Sequence, residues 1–431
     1  MGKSTDTGRS DKGFSVKNSR VTAGRNGSAP DAALPLPRWF HGSYHTHLVA
    51  ETIAKHGPIA RTTLAQLLGL SQGALSRITS DLIYQNVIEE VNHPDMKPDK
   101  SAFTFTAQKN NAGRGRPQTL LRLKSDGTCF MGINLHGSEL TAILTNVSCE
   151  PISSATTLRL TSTEPQDIAE LIADLARTFE NQSDKRAEPR TPSAISVSLG
   201  GHMKDDRCVT HAPYLHWDGE IDLAGMVEQR CGIPTAAFND MDSLMLYESW
   251  FGDGVGLPRF AMLTIGAGIG YALCENGKPV DYPDKSYGLA GHILIDPEGP
   301  RCYAGHIGCS QCLTSDSLAQ EYTELSGSPM TVEDLIADAK TDKPQARTLV
   351  NRVCFRLGTL IAITANFTMP TTVLINGETS CIAKLNTESV RNGISWYRPS
   401  QASPVDFRIL DFSWQKWARA AAGRVIERYI D

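Results

Sequence analysis

Between residues 46 and 88 (THLVAETIAKHGPIARTTLAQLLGLSQGALSRITSDLIYQNVI) three short helical patterns stand side by side, cut by Gly57-Pro58 and by Gly69. No other feature constrains the fold so tightly. Each segment carries one apolar stripe and is too short to persist unless that stripe packs on its neighbours. The first, over 46–55, turns Leu48, Ile53 and Ala54 inward; the second can be capped by Thr62 or Thr63 and carries Leu64, Leu67 and Leu68. Gly69-Leu70 makes a tight turn, Ser71 caps the third segment, and Leu75, Ile78 and Leu82 recur at i, i+3 and i+7. Two helices joined by a glycine turn, with a third behind, form a helix-turn-helix. In that motif the last helix enters the DNA major groove, so its outer face needs small and hydrogen-bonding groups. Gln72, Gly73, Ser76, Arg77 and Thr79 supply them, with no acid before Asp81; Arg61, Thr63 and Ser71 complete the set expected at DNA. An ordinary three-helix bundle with a polar face would show the same pattern.

Charge favours the DNA reading. Residues 1–124 hold 17 Lys and Arg against 9 Asp and Glu, whereas the rest of the chain holds 25 against 38. A basic head on an acidic body suits a polyanionic partner, although a solvated basic tail would give the same imbalance. Residues 1–38, rich in Gly, Ser, Asp, Arg and Pro, read as a flexible tail. Residues 87–91 and 120–123 read as strands around a polar stretch bearing Lys97, Lys100, Lys109, Arg114 and Arg116; this fits a β-hairpin wing that completes a winged helix-turn-helix domain over 39–125, with Arg114 and Arg116 on phosphate or in a minor groove. A flexible linker is the plainer alternative. No apolar run approaches the roughly 18 residues of a membrane helix, and the N-terminus lacks the apolar core of a secretory signal. A cytoplasmic protein with no membrane partner is expected, its ten cysteines kept as thiols or metal ligands.

From Cys129 onward short β runs alternate with helices (FMGINLHGSELTAILTNV, IAELIADLARTFEN, SAISVSLGGHM), the mark of an α/β fold. Two glycine-bearing strand turns stand out: 134–138 (NLHGS) and 266–270 (GAGIG). Such turns bring backbone N–H groups close to a phosphate or sugar oxygen, and they are also ordinary tight turns.

Residues 288–309 (GLAGHILIDPEGPRCYAGHIGC) follow the pattern G-E-x-G-H-x-x-x-D-P-x-G and then C-x-C-G-x-x-G-C-L-E, with Asn239-Asp240, the turn SLGGH and 212–217 (APYLHW) as further matches. On these residues the chain resembles the ROK family of repressors, open reading frames and sugar kinases, over roughly residues 45–431. The resemblance implies a winged helix-turn-helix followed, over 126–431, by a two-lobed actin-like sugar-kinase domain that binds an effector and oligomerises. It also implies zinc held by one His and three Cys: His292, Cys302 and Cys309 fall in register, while Ala304 replaces the remaining cysteine. Cys312 is taken as the fourth ligand, with His306 nearby; a three-ligand site or loss of the metal are the alternatives.

The family's phosphate turn, Asp-x-Gly-Gly-Thr, reads Asn134-Leu135-His136-Gly137-Ser138 here, losing its acid and gaining a ring. Asp240 keeps the place of the catalytic base, but a base without a phosphate cradle transfers phosphoryl groups poorly. Gly201, Asn239, Asp240, His292 and Gln311 are expected around the sugar, with Leu289 and Gln311 standing where the family has carboxylates. The implied protein is not an enzyme. It is a transcriptional repressor, a homodimer or homotetramer on an operator duplex, controlled by a sugar, sugar phosphate or amino sugar; a sugar kinase carrying a DNA-binding head is the alternative.

Overall fold

In the computed structural model, which describes residues 33–91, 119–124, 127–181 and 191–431, the first helix starts ahead of its apolar stripe because Ser43 caps it. This is α1 (Tyr44–His56), and the Ser43 hydroxyl accepts from Thr46 N–H. After β1 (Ile59–Ala60) comes α2 (Arg61–Leu68), which Gly69 ends in the left-handed conformation (φ 63°) that an L side chain adopts only at a cost. Ser71 then caps α3 (Gln72–Tyr84), its hydroxyl accepting from Ala74 N–H. β2 (Ile88–Val91) and β3 (Leu120–Leu123) pair antiparallel, with Ile88 opposite Leu123, and β1 adds to the far side of β3. Val49, Ile53, Leu64, Leu75, Leu82 and Leu121 close the core of this head. Leu67, expected inward, is exposed, while Leu64 and Ala65 are buried and Leu68 packs half-buried against the same core. Residues 34–38 were expected as the end of a tail, yet Leu36 packs on the core together with Trp39 and Phe40. The rest of that tail, 1–32, and the expected wing tip with Lys97, Lys100, Lys109, Arg114 and Arg116 lie outside the described residues.

The remainder is built twice on one plan. In the first lobe β4 (Phe130–His136) and β5 (Glu139–Thr145) form a hairpin, β6 (Thr156–Arg159) extends it, and, after α4 (Pro165–Asn181), β7 (Ala194–Leu199) runs parallel to β4. A small antiparallel sheet of β8 (His202–Lys204), β9 (Cys208–Ala212) and β10 (Trp217–Ile221) follows. Next come α5 (Leu223–Cys231), β11 (Thr235–Asn239), parallel to β7, and α6 (Asp240–Phe251). The second lobe repeats the plan. β12 (Arg259–Ile265) and β13 (Ile269–Glu275) form the hairpin and β14 (Lys278–Pro279) extends it. A long loop leads to α7 (Ser315–Ser326), α8 (Val332–Lys340) and α9 (Pro344–Thr368). β15 (Thr372–Asn376) lies parallel to β12; after α10 (Ile382–Leu385) and α11 (Thr387–Tyr397), β16 (Asp406–Ile409) lies parallel to β15. The chain ends in α12 (Trp414–Ile430).

Alternate residues of each central strand feed different cores, as strand geometry requires. Met131, Ile133 and Leu135 meet α4 and α5, while Ala261, Leu263 and Ile265 meet α9. The opposite faces share a third core with α6, α12 and the head. Gly132 makes the fit of α12 possible, because a Cβ there would overlap the Ala418 carbonyl oxygen. Among the described residues α9 alone is long and apolar enough to cross a membrane, but 72% of its most apolar window is buried inside the protein.

Candidate functional site

On α3, Gln72, Gly73, Ser76 and Arg77 stand exposed together, and Thr63 is exposed at the start of α2. Ser71 is exposed too, with its hydroxyl engaged as the cap. Thr79 is placed otherwise. It lies four residues after Leu75 and three before Leu82, within the apolar stripe, and is fully buried. Its hydroxyl donates to the Ser76 carbonyl and accepts from Arg61 Nε, both at 3.2 Å, so it cannot reach a phosphate. Arg61 is half-buried and bonded to Glu90 at 2.6 Å, tying α2 to the strands behind it.

Between the lobes, side chains of the chain itself occupy both glycine turns. His136, the last residue of β4, stacks on Trp414 with ring centroids 3.6 Å apart and planes 6° from parallel. Burial holds its imidazole down at about 4, so the ring is neutral at physiological pH. Asn134 is fully buried and donates to the Ser198 hydroxyl at 3.0 Å. At the second turn Glu378, just after β15, accepts the Ala267 N–H at 3.0 Å. That amide is the kind of donor a phosphate oxygen seeks, and the carboxylate both takes it and repels an anion. Tyr214 lies beside Gly200 in one lobe and reaches its hydroxyl toward Gly268 in the other.

Asp240 opens α6 next to Gly200, its carboxylate accepting from Met241 N–H at 2.7 Å. Burial, aided by the charge of Asp242, raises it to about 6. Asn239 caps α6 by accepting from Asp242 N–H and donates to the Gly201 carbonyl at 2.8 Å. Its amide therefore orients the turn that presents Asp240. Gln311 packs its amide against Gly291, beside His292, while Leu289 is exposed.

In the loop between β14 and α7, His292, Cys302, His306 and Cys309 converge with all four donor atoms within 4.8 Å of one another. His292 Nδ1 lies 3.8 Å from each sulfur and 3.0 Å from His306 Nδ1. A tetrahedral zinc with bonds of about 2.0–2.3 Å needs donor separations of roughly 3.3–3.8 Å; the two His292–sulfur distances meet this, and the remaining pairs would need small side-chain shifts to close on an ion. The Tyr303 hydroxyl, 3.1 Å from His292 Nε2, can fix the tautomer that points the Nδ1 lone pair inward. Cys312, expected as the fourth ligand, is outside the cluster: its thiol is buried, and burial pushes it up to about 12. A short helical turn, Ser310–Leu313, rotates it away from Cys309. His306, not Cys312, stands at the fourth corner of the cluster.

The family model described as ROK family matches residues 130–420. The chain belongs to the ROK family. Among curated relatives, the DNA-binding transcriptional repressor Mlc of Escherichia coli K12 is 22% identical over 387 residues, covering 87% of this chain and 91% of that protein. The xylose repressor of Caldicellulosiruptor bescii is 24% identical, covering 81% and 86%. In three dimensions a ROK family transcriptional regulator homologous to the E. coli Mlc protein superimposes with a TM-score of 0.69 at 22% identity, covering 90% of this chain and 96% of its own. A ROK family glucokinase from Streptomyces griseus, in complex with glucose and AMPPNP, gives 0.56 at 20%, covering 68% and 98%. The ROK body is thus the two-lobed actin-like fold that the sequence resemblance implied.

Sequence reasoning singled out His136 and Asp240, met Tyr214 only as part of the 212–217 match, and passed over Trp414 and Glu378. No local motif links these last two to the turns they fill, since they arrive from distant parts of the chain. His306 carried a usable signal: it sits in one loop with Cys302 and Cys309, four and three residues from them.

Proposed function

We propose that this ROK protein is a DNA-binding transcriptional repressor whose operator affinity is set by a sugar or sugar derivative held between the lobes. The observation that carries the reading is the occupied nucleotide side of the cleft: His136 with Trp414 at one turn and Glu378 at the other, while Asp240 and its supporting turn remain. Gly201, Asn239, Asp240, His292 and Gln311 surround the sugar, and His292 Nε2 becomes available to a hydroxyl when Tyr303 gives way. Loss of two carboxylates suits a ligand with fewer hydroxyl donors or with an anionic group. His292, Cys302, His306 and Cys309 hold zinc, which as a closed four-ligand site would cross-link the loop rather than do chemistry. Arg77, Gln72 and Ser76 meet the major groove, and Arg114 and Arg116 the backbone or minor groove. Two heads of a symmetric dimer read half-sites about one helical turn apart, and such a protein works in the cytoplasm, where the chromosome is.

The test is selection of duplexes from a random pool by the full chain, followed by binding titrations with glucose, xylose, N-acetylglucosamine and their phosphates. A recovered palindromic site released by one of these sugars is the expected result; failure to enrich any duplex at low salt overturns the reading. A second reading, sugar phosphorylation, is favoured by one observation: Asp240, raised to about 6, is a competent general base.

A further inference from the structure

Away from the cleft and the metal loop, one set of contacts ties the head to both lobes. α1 packs against α6 and α12, the two helices lying between the sheets. Its N-terminal side is held by the end of α12. His47 Nδ1 is 2.8 Å from the Ile430 carbonyl, Trp39 N–H donates to the Tyr429 carbonyl at 2.9 Å, and the rings of Trp39 and Tyr429 stack. Its C-terminal side is held by the second lobe. Lys55 Nζ donates to the Gly277 carbonyl at 3.2 Å, in the turn joining β13 to β14, and stands 4.6 Å from the centroid of the Trp250 ring on α6. Its side chain is 11% exposed and also pairs with Glu51 one turn back. The head's own core does not use Lys55, so a nearly buried ammonium reaching a carbonyl of the other lobe is a contact between parts.

We propose that α1 couples the cleft to the DNA-binding surface, with Lys55 as the positioning residue at one end and His47 at the other. The proposal rests on the sugar-controlled reading above. From His47 to Lys55 a helix spans about 12 Å and does not stretch. When the lobes rotate about a bound sugar, the Ile430 and Gly277 carbonyls shift relative to each other, and α1 cannot lengthen to follow both. With both ties intact α1 tilts between them, and α3, packed against α1 with Leu75 and Leu82 in the shared core, tilts with it. In a dimer this changes the separation of the two recognition helices, and with it the match to half-site spacing.

The test compares wild type, Lys55→Met, Lys55→Arg and His47→Leu as full chains, on the duplex that wild type selects, with glucose, xylose, N-acetylglucosamine and their 6-phosphates as probes. Two quantities are read: the melting temperature with each probe, and the loss of DNA affinity it causes. The expected result is a probe that raises the melting temperature of all four proteins alike and weakens DNA binding at least tenfold for wild type. The same probe weakens it less than twofold for Lys55→Met and His47→Leu, while Lys55→Arg stays within threefold of wild type. Full release by Lys55→Met and His47→Leu overturns the coupling. If no probe raises any melting temperature, the sugar-controlled reading falls, and the coupling falls with it.

Discussion

At the scale of single residues, His136 and the metal loop make separable claims. The fold holds His136 neutral by lowering it from an ordinary 6.5 to about 4, so its contribution is complete above pH 6.5 and is lost as pH falls toward 4. His136→Phe keeps a ring against Trp414 and cannot titrate. The melting temperature of wild type is expected to drop relative to the variant between pH 6.5 and 4, and to track it above pH 7; parallel curves throughout would contradict the burial argument. In the loop, Cys302→Ser, Cys309→Ser and His306→Ala are each expected to reduce bound zinc to background by elemental analysis, whereas Cys312→Ala keeps it. Zinc retained by His306→Ala and lost by Cys312→Ala would return the fourth corner to Cys312.

Among elements, α3 sorts its residues by face. Arg77→Ala is expected to weaken duplex binding and to lower the slope of log affinity against log salt by about one, the signature of one lost phosphate contact. Thr79→Val should leave that slope unchanged and instead cost about 1 kcal/mol in denaturant unfolding, because Arg61 Nε loses its acceptor. The turn before α3 has its own requirement: Gly69→Ala forces a Cβ into φ 63° and is expected to cost about 1 kcal/mol. These helices were legible because their signals are local. Ser71 and Gly69 terminate helices through bonds to residues within five positions, and the apolar stripe follows from helical geometry alone. Thr79 was misjudged because a threonine reads as polar, while its place in the stripe is set by spacing.

For the whole molecule, the decisive question is whether the duplicated body still moves phosphate. With ATP, magnesium and a panel of hexoses, including N-acetylglucosamine, no ADP release above background is expected in a coupled assay, since both phosphate turns are filled from within. Turnover abolished by Asp240→Asn would establish the kinase reading instead. The geometry behind this expectation belongs to no single segment. Trp414 reaches His136 only because α12, last in the chain, returns to the first lobe and lies on β4 at Gly132; Glu378 reaches Ala267 only because β15 runs parallel to β12.

Local periodicity, breakers and caps sufficed to lay out the three helices of the head and the α/β body, since each is encoded by neighbours within one turn or one loop, while three corners of the candidate metal site came from the family resemblance. The sense in which Thr79 faces, the choice of His306 over Cys312, the filling of the cleft and the bridging of both lobes by α1 were decided by tertiary structure. These depend on side chains brought together from positions as far apart as Lys55 and Gly277, and closing such long loops leaves no periodic trace in the order of residues.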